Sequence, residues 1–240
     1  MIKQKAYVLH VRSYKETSAL VDLITPDYGL IRCMARGMKR NLMQGQSLQP
    51  FVNYSIFFSG DSDLKNLDRY ESLSLPLALK GDALFSGFYV NEIILRALRS
   101  QIEIEDEALF DAYEASLVSL NSDDLEQSLR QFELTVLEHM GQNYQWEVDF
   151  KTGEVVAETS YYGFFVEQGM TQVSQAYVNS NPNGCFLGGD LINLSHLDFS
   201  ASSTLKMSKR LLRLAIRPII GYKPIQAREL LKQYKGLSSS

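Results

Sequence analysis

The hydrophobic period of the sequence changes at Pro76, and this change limits the possible folds more than any other feature. Before Pro76, short apolar runs alternate with turn residues at the spacing of an all-β domain. After Pro76, apolar residues recur every three or four positions, as they do on helices. We therefore expect an α+β protein in which a β domain precedes a helical domain.

Five apolar runs before Pro76 predict five strands, at residues 6–14, 18–25, 29–35, 51–59 and 64–75. Turn residues separate the runs, as in Asp27-Tyr28-Gly29. Short strands with this spacing are typical of a small closed barrel. A five-stranded Greek-key barrel of this size is an OB-fold, although an SH3-like barrel would produce a similar pattern.

Helical periodicity after Pro76 predicts five helices, at residues 82–99, 105–120, 125–140, 203–219 and 224–234. The helix at 203–219 is expected to break at Pro218 and Gly221. The region between residues 142 and 200 has the least regular pattern. It predicts a hairpin from residues 161–166 and 170–174, a loop at 179–184, and a turn at Gly188-Gly189-Asp190.

The predicted organisation has four segments. They are an N-terminal five-stranded OB-fold barrel at 1–79, an α-helical domain at 80–145, a small inserted α/β module at 146–200, and closing helices at 201–240.

Charge is distributed unevenly along the chain, which the net charge of −4 conceals. Residues 1–80 contain 11 Lys and Arg against 7 Asp and Glu, and residues 201–240 contain 9 against 1. Residues 81–150 contain 3 against 15. Such asymmetry of sign is one indication of a surface that binds a polyanion.

A strand and the loop after it concentrate cations in the first domain. The strand that begins at Gly29 is interrupted by Arg32, and Arg36, Lys39 and Arg40 follow it around Gly37. No carboxylate lies close to these cations in sequence, which is consistent with a phosphate-contacting surface. A solvated hairpin loop is the alternative interpretation.

The helix predicted at 203–219 is the second cationic element. At 100° per residue one stripe of this helix carries Lys206, Arg210, Arg213 and Arg217, with Lys209 at its edge. Like charges at this spacing destabilise an isolated helix by a few tenths of a kcal/mol per pair, so an anion is expected to offset them. Either the acidic helices at 103–124 supply it, or an external acidic peptide or phosphate does.

No arrangement of residues indicates catalysis. The sequence contains no phosphate loop and no dinucleotide fingerprint. Its three histidines are isolated, and Cys33 and Cys185 form no metal-binding or disulfide pattern. The first residues lack the apolar core of a signal peptide, and no apolar run approaches a membrane span. We expect a soluble, cytoplasmic, monomeric binding protein without cofactor or metal; an enzyme with its site in 142–200 is an alternative.

Several sequence blocks follow one another in a specific order. They are Tyr14-Lys15-Glu16-Thr17-Ser18, Leu48-Gln49-Pro50-Phe51, Lys80-Gly81-Asp82-Ala83-Leu84-Phe85-Ser86-Gly87-Phe88-Tyr89-Val90-Asn91-Glu92, Leu129-Arg130-Gln131-Phe132-Glu133-Leu134, and an ending with Lys209-Arg210-Leu211-Leu212, Arg217-Pro218, Lys223-Pro224 and Arg228-Glu229-Leu230. Together these blocks, which span about 5–234, resemble the bacterial recombination mediator family RecO.

The resemblance implies an OB-fold, a helical middle and a small module inserted before the closing helices. It implies binding of single- and double-stranded DNA, annealing of complementary strands, and contact with the C-terminal tail of the single-strand-binding protein SSB. It also implies action with RecR to load RecA, and association with the nucleoid during repair. Many family members bind zinc through four cysteines in the module. This chain has only Cys185 there, so we expect packing alone to stabilise the module.

Two sets of site residues follow from the cations and the resemblance together. The expected DNA contacts are Arg12, Arg32, Arg36, Lys39, Arg40 and Lys65. The acidic SSB tail requires an apolar pocket rimmed by cations, for which Arg130 is the first candidate and Arg210 and Arg213 are the next. A salt bridge from Arg130 to Glu126 or Glu133 at helical spacing is the alternative. A different function also remains open, that of an OB-fold adaptor that binds an acidic partner without DNA.

Overall fold

The structure is a computed structural model that describes residues 1–37, 47–99, 107–122 and 124–238. The chain divides into two compact units, one formed by Met1–Asp123 with Lys223–Ser240 and the other by Asp124–Tyr222. The four-segment organisation proposed from the sequence stays a prediction. In the described part of the chain, no helix is long and apolar enough to cross a membrane.

Five strands of the first unit close into a barrel. They are β1 (Ile2–Tyr14), β2 (Ser18–Thr25), β3 (Gly29–Ala35), β4 (Asn53–Ser59) and β5 (Leu64–Ser72). Their order around the barrel is β1-β2-β3-β5-β4, with β3 parallel to β5 and every other pair antiparallel. This is the topology of an OB-fold, so the predicted fold class is confirmed.

Strand β3 shows why these residues form a barrel. Ile31, Cys33 and Ala35 are buried in the core, whereas Arg32 between them is exposed, which is the period of two expected for a sheet with one face in a core. The arginine that interrupts the apolar run therefore lies on the outer face. Burial raises the pKa of the Cys33 thiol to about 12, so this cysteine is a neutral core residue at physiological pH.

Among the described residues of the first unit, three helices accompany the barrel: α1 (Gly81–Leu98), α2 (Glu107–Ser119) and, from the C-terminal end of the chain, α7 (Gln226–Ser238). Asn91 of α1 is buried and donates hydrogen bonds to the carbonyl oxygens of Val8 (3.3 Å) and Leu9 (3.2 Å). A β-bulge interrupts the pairing of β1 with β2 at this point. Tyr113 of α2 donates to the Asn91 side-chain oxygen at 2.6 Å, so one amide connects strand β1 with helix α2.

Two other residues of α1 near Asn91 also contribute to the tertiary structure of this unit. A Cβ atom on Gly87 would lie 2.8 Å from the Phe51 ring, so only glycine allows this close approach. The carboxylate of Glu92 accepts the backbone amides of Gln226 and Ala227, each at 3.0 Å, and thereby caps the first turn of α7. Gly87, Asn91 and Glu92 all lie in the sequence block from Lys80 to Glu92.

The second unit combines helices with a small sheet. Its elements are α3 (Leu125–His139), β6 (Tyr161–Phe165), β7 (Gly169–Gln172), α4 (Gln175–Ser180), a 3-10 turn (Pro182–Gly184), β8 (Cys185–Leu187), α5 (Gly188–Ser195) and α6 (Ser202–Ile220). The strand order is β7-β6-β8.

Two local predictions in this unit are wrong. Gly188-Gly189-Asp190 is not a turn but the first turn of α5, a helix too short for its periodicity to be visible in the sequence. Helix α6 is not broken at Pro218, which lies inside it. Pro218 is exposed, and only Ile219 and Ile220 follow it before the helix ends, so its effect on the backbone is confined to the C-terminal end of α6.

A buried carboxylate contributes to the inserted module, so the expectation of packing alone is incomplete. Asp149 accepts backbone amides of Lys151 at 2.7 Å and Thr152 at 3.3 Å through Oδ1, and of Gln172 at 2.8 Å through Oδ2. Tyr144, Trp146 and Phe164 form an aromatic cluster with ring centroids 5.0–5.9 Å apart. Among the residues that the structure describes, no group of three or more His, Cys, Asp or Glu is placed to hold a metal ion.

Candidate nucleic-acid interface

The outer face of β1, β2 and β3 brings cations together. In the strand register His10 and Arg32 both pair with Asp22, and Arg12 pairs with Leu20. A cleft of about 400 Å³ lies over this face and is lined by His10, Arg12, Leu20, Asp22, Arg32 and Arg99. Three arginines and one carboxylate therefore surround a single open cleft.

Asp22 orients one of these arginines. The Arg32 Nε atom donates to Asp22 Oδ1 at 2.6 Å, and His10 Nδ1 lies 3.8 Å from the other carboxylate oxygen. The Asp22 side chain is 8% exposed, whereas that of Arg32 is 44% exposed. The pair therefore restrains the guanidinium from the protein side and leaves much of it open to an external anion.

Arg12 and Arg99 complete the cationic part of the cleft. Both are exposed, and neither forms an ion pair within the described residues. Arg99 follows the last residue of α1. A cation at the C-terminal end of a helix is favoured by the helix dipole. The structure shows that the end of this helix also places Arg99 at the cleft.

The other predicted DNA contacts lie elsewhere or outside the described part of the chain. Arg36 is exposed just after β3, and Lys39 and Arg40 fall outside the described residues. Lys65 is half-buried and pairs with Cys33, whereas Arg32 pairs with Leu64. Successive side chains of a strand alternate between faces, so Lys65 lies on the opposite face of the sheet from Arg32. The structure thus brings together Arg12 and Arg32, but not Lys65.

Arg130, the first candidate for the SSB tail, lies inside the second unit. Its side chain is 2% exposed, and its Nη2 atom lies 3.0 Å from Oε1 of the fully buried Glu133. The alternative inferred from the sequence, an internal ion pair at helical spacing, is therefore present. Within the described part of the chain, the Nε and Nη1 atoms of Arg130 are buried without a hydrogen-bond partner.

The carboxylate of Glu126 interacts with several cations in this part of the second unit. Its carboxylate lies 2.5 Å from Lys209 Nζ, which connects α3 with α6. Burial tends to raise the pKa of Glu126, but the hydrogen bond and charge of Lys209 and the charges of Arg130 and Arg213 outweigh it, so the pKa is lowered. Arg210 contacts another element, because its Nη2 atom donates to the Cys185 carbonyl oxygen at 2.9 Å.

Comparisons with known proteins agree with this architecture. Residues 1–76 match the family model described as "Recombination protein O N terminal", and residues 79–218 match "Recombination protein O C terminal". The chain is 36% identical to the DNA repair protein RecO of Idiomarina loihiensis, over 97% of this chain and 98% of that protein. It is 38% identical to the protein of the same name from Pectobacterium atrosepticum, over 96% and 93% of the two chains.

The chain belongs to the RecO family.

The residues of the most RecO-like sequence block have different roles from the residues that form the cleft. The RecO-like block around residues 80–92 supplies Gly87, Asn91 and Glu92, which act in packing, hydrogen bonding and helix capping. The cleft instead combines residues from three strands with the end of a helix. Sequence reasoning missed His10, Asp22 and Arg99. The available signal for His10 was its position two residues before Arg12, and for Asp22 its register with Arg32, whereas no pattern in the sequence indicated Arg99.

Proposed function

We propose that this RecO-family protein is a DNA repair mediator that binds single- and double-stranded DNA and anneals complementary strands. The observation that carries the proposal is the cluster of Arg12, Arg32 and Arg99 around one open cleft on the barrel. OB-folds commonly bind oligonucleotides over the face of strands 2 and 3, and this cleft includes residues of β2 and β3. Arg36, Lys39, Arg40 and Lys65 stay proposed contacts that extend this surface.

The cleft suits phosphate better than a particular base. Arginine presents a planar fork of donors that matches phosphate oxygens, and Asp22 limits the orientations that Arg32 samples. Such contacts bind the backbone independently of sequence, and their affinity falls as salt rises because bound counterions are released. We therefore expect binding that tolerates any base sequence and weakens steeply with ionic strength.

Annealing by this surface needs no bond to be made or broken in either backbone. Cations that neutralise two phosphate backbones reduce the repulsion between complementary strands. Base stacking then supplies about 1.4 kcal/mol per base-pair step, which drives the reaction. The proposed role is thus that of a mediator rather than an enzyme.

The cations around Glu126 are the proposed site for the acidic SSB tail. Lys209 is partly exposed, Arg213 is exposed, and Arg130 adds positive charge from within the unit. Arg210 stays a further candidate. The proposed action with RecR to load RecA, in the cytoplasm and at the nucleoid, rests on family membership, since the relatives are named DNA repair proteins.

The barrel cleft is tested by titrating a labelled single-stranded oligonucleotide at several salt concentrations. The full-length double variant Arg12→Ala/Arg99→Ala should lower the slope of log affinity against log salt by about 1.4, because each single-strand phosphate contact contributes about 0.7. The matched control is Lys232→Ala/Lys235→Ala, which removes the same charge from α7. An unchanged slope in the cleft variant would exclude this surface. No binding by the wild-type protein would favour the adaptor alternative.

The tail site is tested by fluorescence anisotropy of an acidic peptide that ends in a phenylalanine carboxylate. Arg213→Ala should weaken peptide binding roughly tenfold, the order expected for one charged contact. Lys151→Ala is the control, since Lys151 is an exposed cation of the inserted module. Equal binding by wild type and Arg213→Ala would remove Arg213 from the site.

A further inference from the structure

Helix α6 carries its cations on one stripe about 100° wide, and this stripe has two edges. At 100° per residue, Lys209 and Arg213 lie on one side of Lys206, and Arg210 and Arg217 lie on the other. The first edge includes the ion pair of Lys209 with Glu126. The second edge has no ion pair to any carboxylate of the described residues, although Lys206, Arg210 and Arg217 are all exposed.

An exposed aromatic residue lies at the C-terminal end of this second edge. The Tyr222 side chain is 71% exposed, and the guanidinium carbon of Arg217 lies 4.9 Å from the centre of its ring. The ring is therefore held next to a cation at the surface and is not part of the core.

Structural roles explain only part of this edge. Arg210 covers the buried ring of Phe186, with its guanidinium carbon 5.3 Å from the ring centre. Arg217 lies in the last turn of α6, where a cation favours the helix dipole. Neither role accounts for Lys206 in the first half of the helix or for the exposure of Tyr222.

We propose that Lys206, Arg210, Arg217 and Tyr222 form a second nucleic-acid site, which binds a short single-stranded segment. The cations contact phosphates, and one unpaired base stacks on the Tyr222 ring. The helix rises about 1.5 Å per residue, so Lys206 and Arg217 are about 16 Å apart along its axis. A cationic track of this length can contact more than one phosphate of a single strand.

The aromatic ring favours a single strand over a duplex. Proteins that bind single strands combine a cationic track with aromatic side chains, because each base presents a face that can stack. In a duplex those faces are covered by neighbouring base pairs. The site goes beyond the proposed function, in which the barrel supplies the DNA contacts, and it would let one chain bind two strands.

The test uses the full-length chain with the barrel variant Arg12→Ala/Arg99→Ala as background and a labelled oligothymidine as probe. Adding Tyr222→Ala should weaken binding about tenfold, within the range for loss of one stacked base. Tyr222→Phe should restore the affinity, because phenylalanine retains the ring. Adding Arg210→Ala/Arg217→Ala should lower the salt slope by about 1.4. Circular dichroism and thermal unfolding check that each variant is folded.

Specific results would overturn the proposal. Unchanged oligothymidine binding by Tyr222→Ala would do so, as would equal weakening by Tyr222→Ala and Tyr222→Phe. If the α6 variants weakened binding of polyglutamate but not of oligothymidine, the edge would be a site for acidic peptide instead. The two proposals are separable, because loss of binding in the barrel variant alone supports the cleft, and loss through Tyr222→Ala alone supports only the second site.

Discussion

Arg32 and Arg130 are each paired with one carboxylate, but in opposite environments. Arg32 on the barrel lies 2.6 Å from Asp22 and is 44% exposed. Arg130 in α3 lies 3.0 Å from Glu133, and the two side chains are 2% and 0% exposed. The same chemical pair therefore orients a charge toward solvent in one unit and neutralises a charge in the interior of the other.

The difference shows that solvent exposure, rather than pairing, decides which arginine is available to a ligand. An exposed guanidinium stays hydrated and can exchange water for phosphate at little cost. A buried guanidinium has already lost its hydration, and the protein depends on the carboxylate to offset that loss. Removing one partner should therefore have a much larger effect on stability at Arg130 than at Arg32.

The largest expected effect is on folding. Arg130→Ala should lower the free energy of unfolding by about 3–5 kcal/mol, because it leaves the Glu133 carboxylate buried without this cation. Urea denaturation measures the change. The double variant Arg130→Met/Glu133→Leu should recover most of the loss, since an apolar pair of similar volume avoids the buried charges. If Arg130→Ala lowered the free energy of unfolding by less than about 1 kcal/mol, the buried Arg130 pair would contribute no more to stability than an exposed pair does.

An intermediate effect is expected at the barrel pair. Asp22→Asn and Arg32→Ala should each cost about 1–3 kcal/mol of unfolding free energy, because each disrupts a hydrogen bond to the buried carboxylate position. Their effects on DNA should differ in sign at low salt. Asp22→Asn removes a negative charge from the cleft and strengthens binding, whereas Arg32→Ala removes a cation and weakens it. If Asp22→Asn bound DNA more weakly than the wild-type protein, the loss of Arg32 orientation would have a larger effect on binding than the removal of a negative charge from the cleft.

The smallest expected effect concerns Glu126, whose pair with Lys209 is partly exposed. Its pKa is lowered in the folded protein, so the pair contributes stability above the ordinary pKa of about 4.5, and this contribution is lost as pH falls through the lowered value. Glu126→Gln should therefore cost about 0.5 kcal/mol at neutral pH and less at an acidic pH well below 4.5. Thermal unfolding at both pH values measures the difference. A cost that persists in acid would indicate packing rather than charge.

The elements of the fold follow closely from local sequence. Strands β2 and β3 begin and end at the predicted residues, because each combines alternating burial with clear turn residues. The helices α4 and α5 were not predicted, since six and eight residues are too few to show a helical period. The predicted helix break at Pro218 was wrong, because the effect of a proline on a helix depends on its position in that helix.

The candidate site is harder to predict from the sequence than the elements of the fold are. Arg12 and Arg32 were predicted from charge together with the family resemblance, whereas Arg99 was not, because its place at the cleft depends on how α1 packs on the barrel. Arg130 resembled a binding residue in the sequence, yet the structure buries it with Glu133. The spacing of Arg130 and Glu133 allowed an internal ion pair, but only the packing of the second unit decided that the pair is buried. The place of Arg99 likewise depends on packing.

The sequence by itself determined the order and type of the barrel strands and of the longer helices, and the chain's membership of the RecO family, because hydrophobic period and ordered motifs are properties of neighbouring residues. Only the tertiary structure decided which cations are exposed to solvent and which are buried with a carboxylate. Burial and pairing arise when distant segments pack together, and the same arginine in the same kind of strand or helix can face either environment.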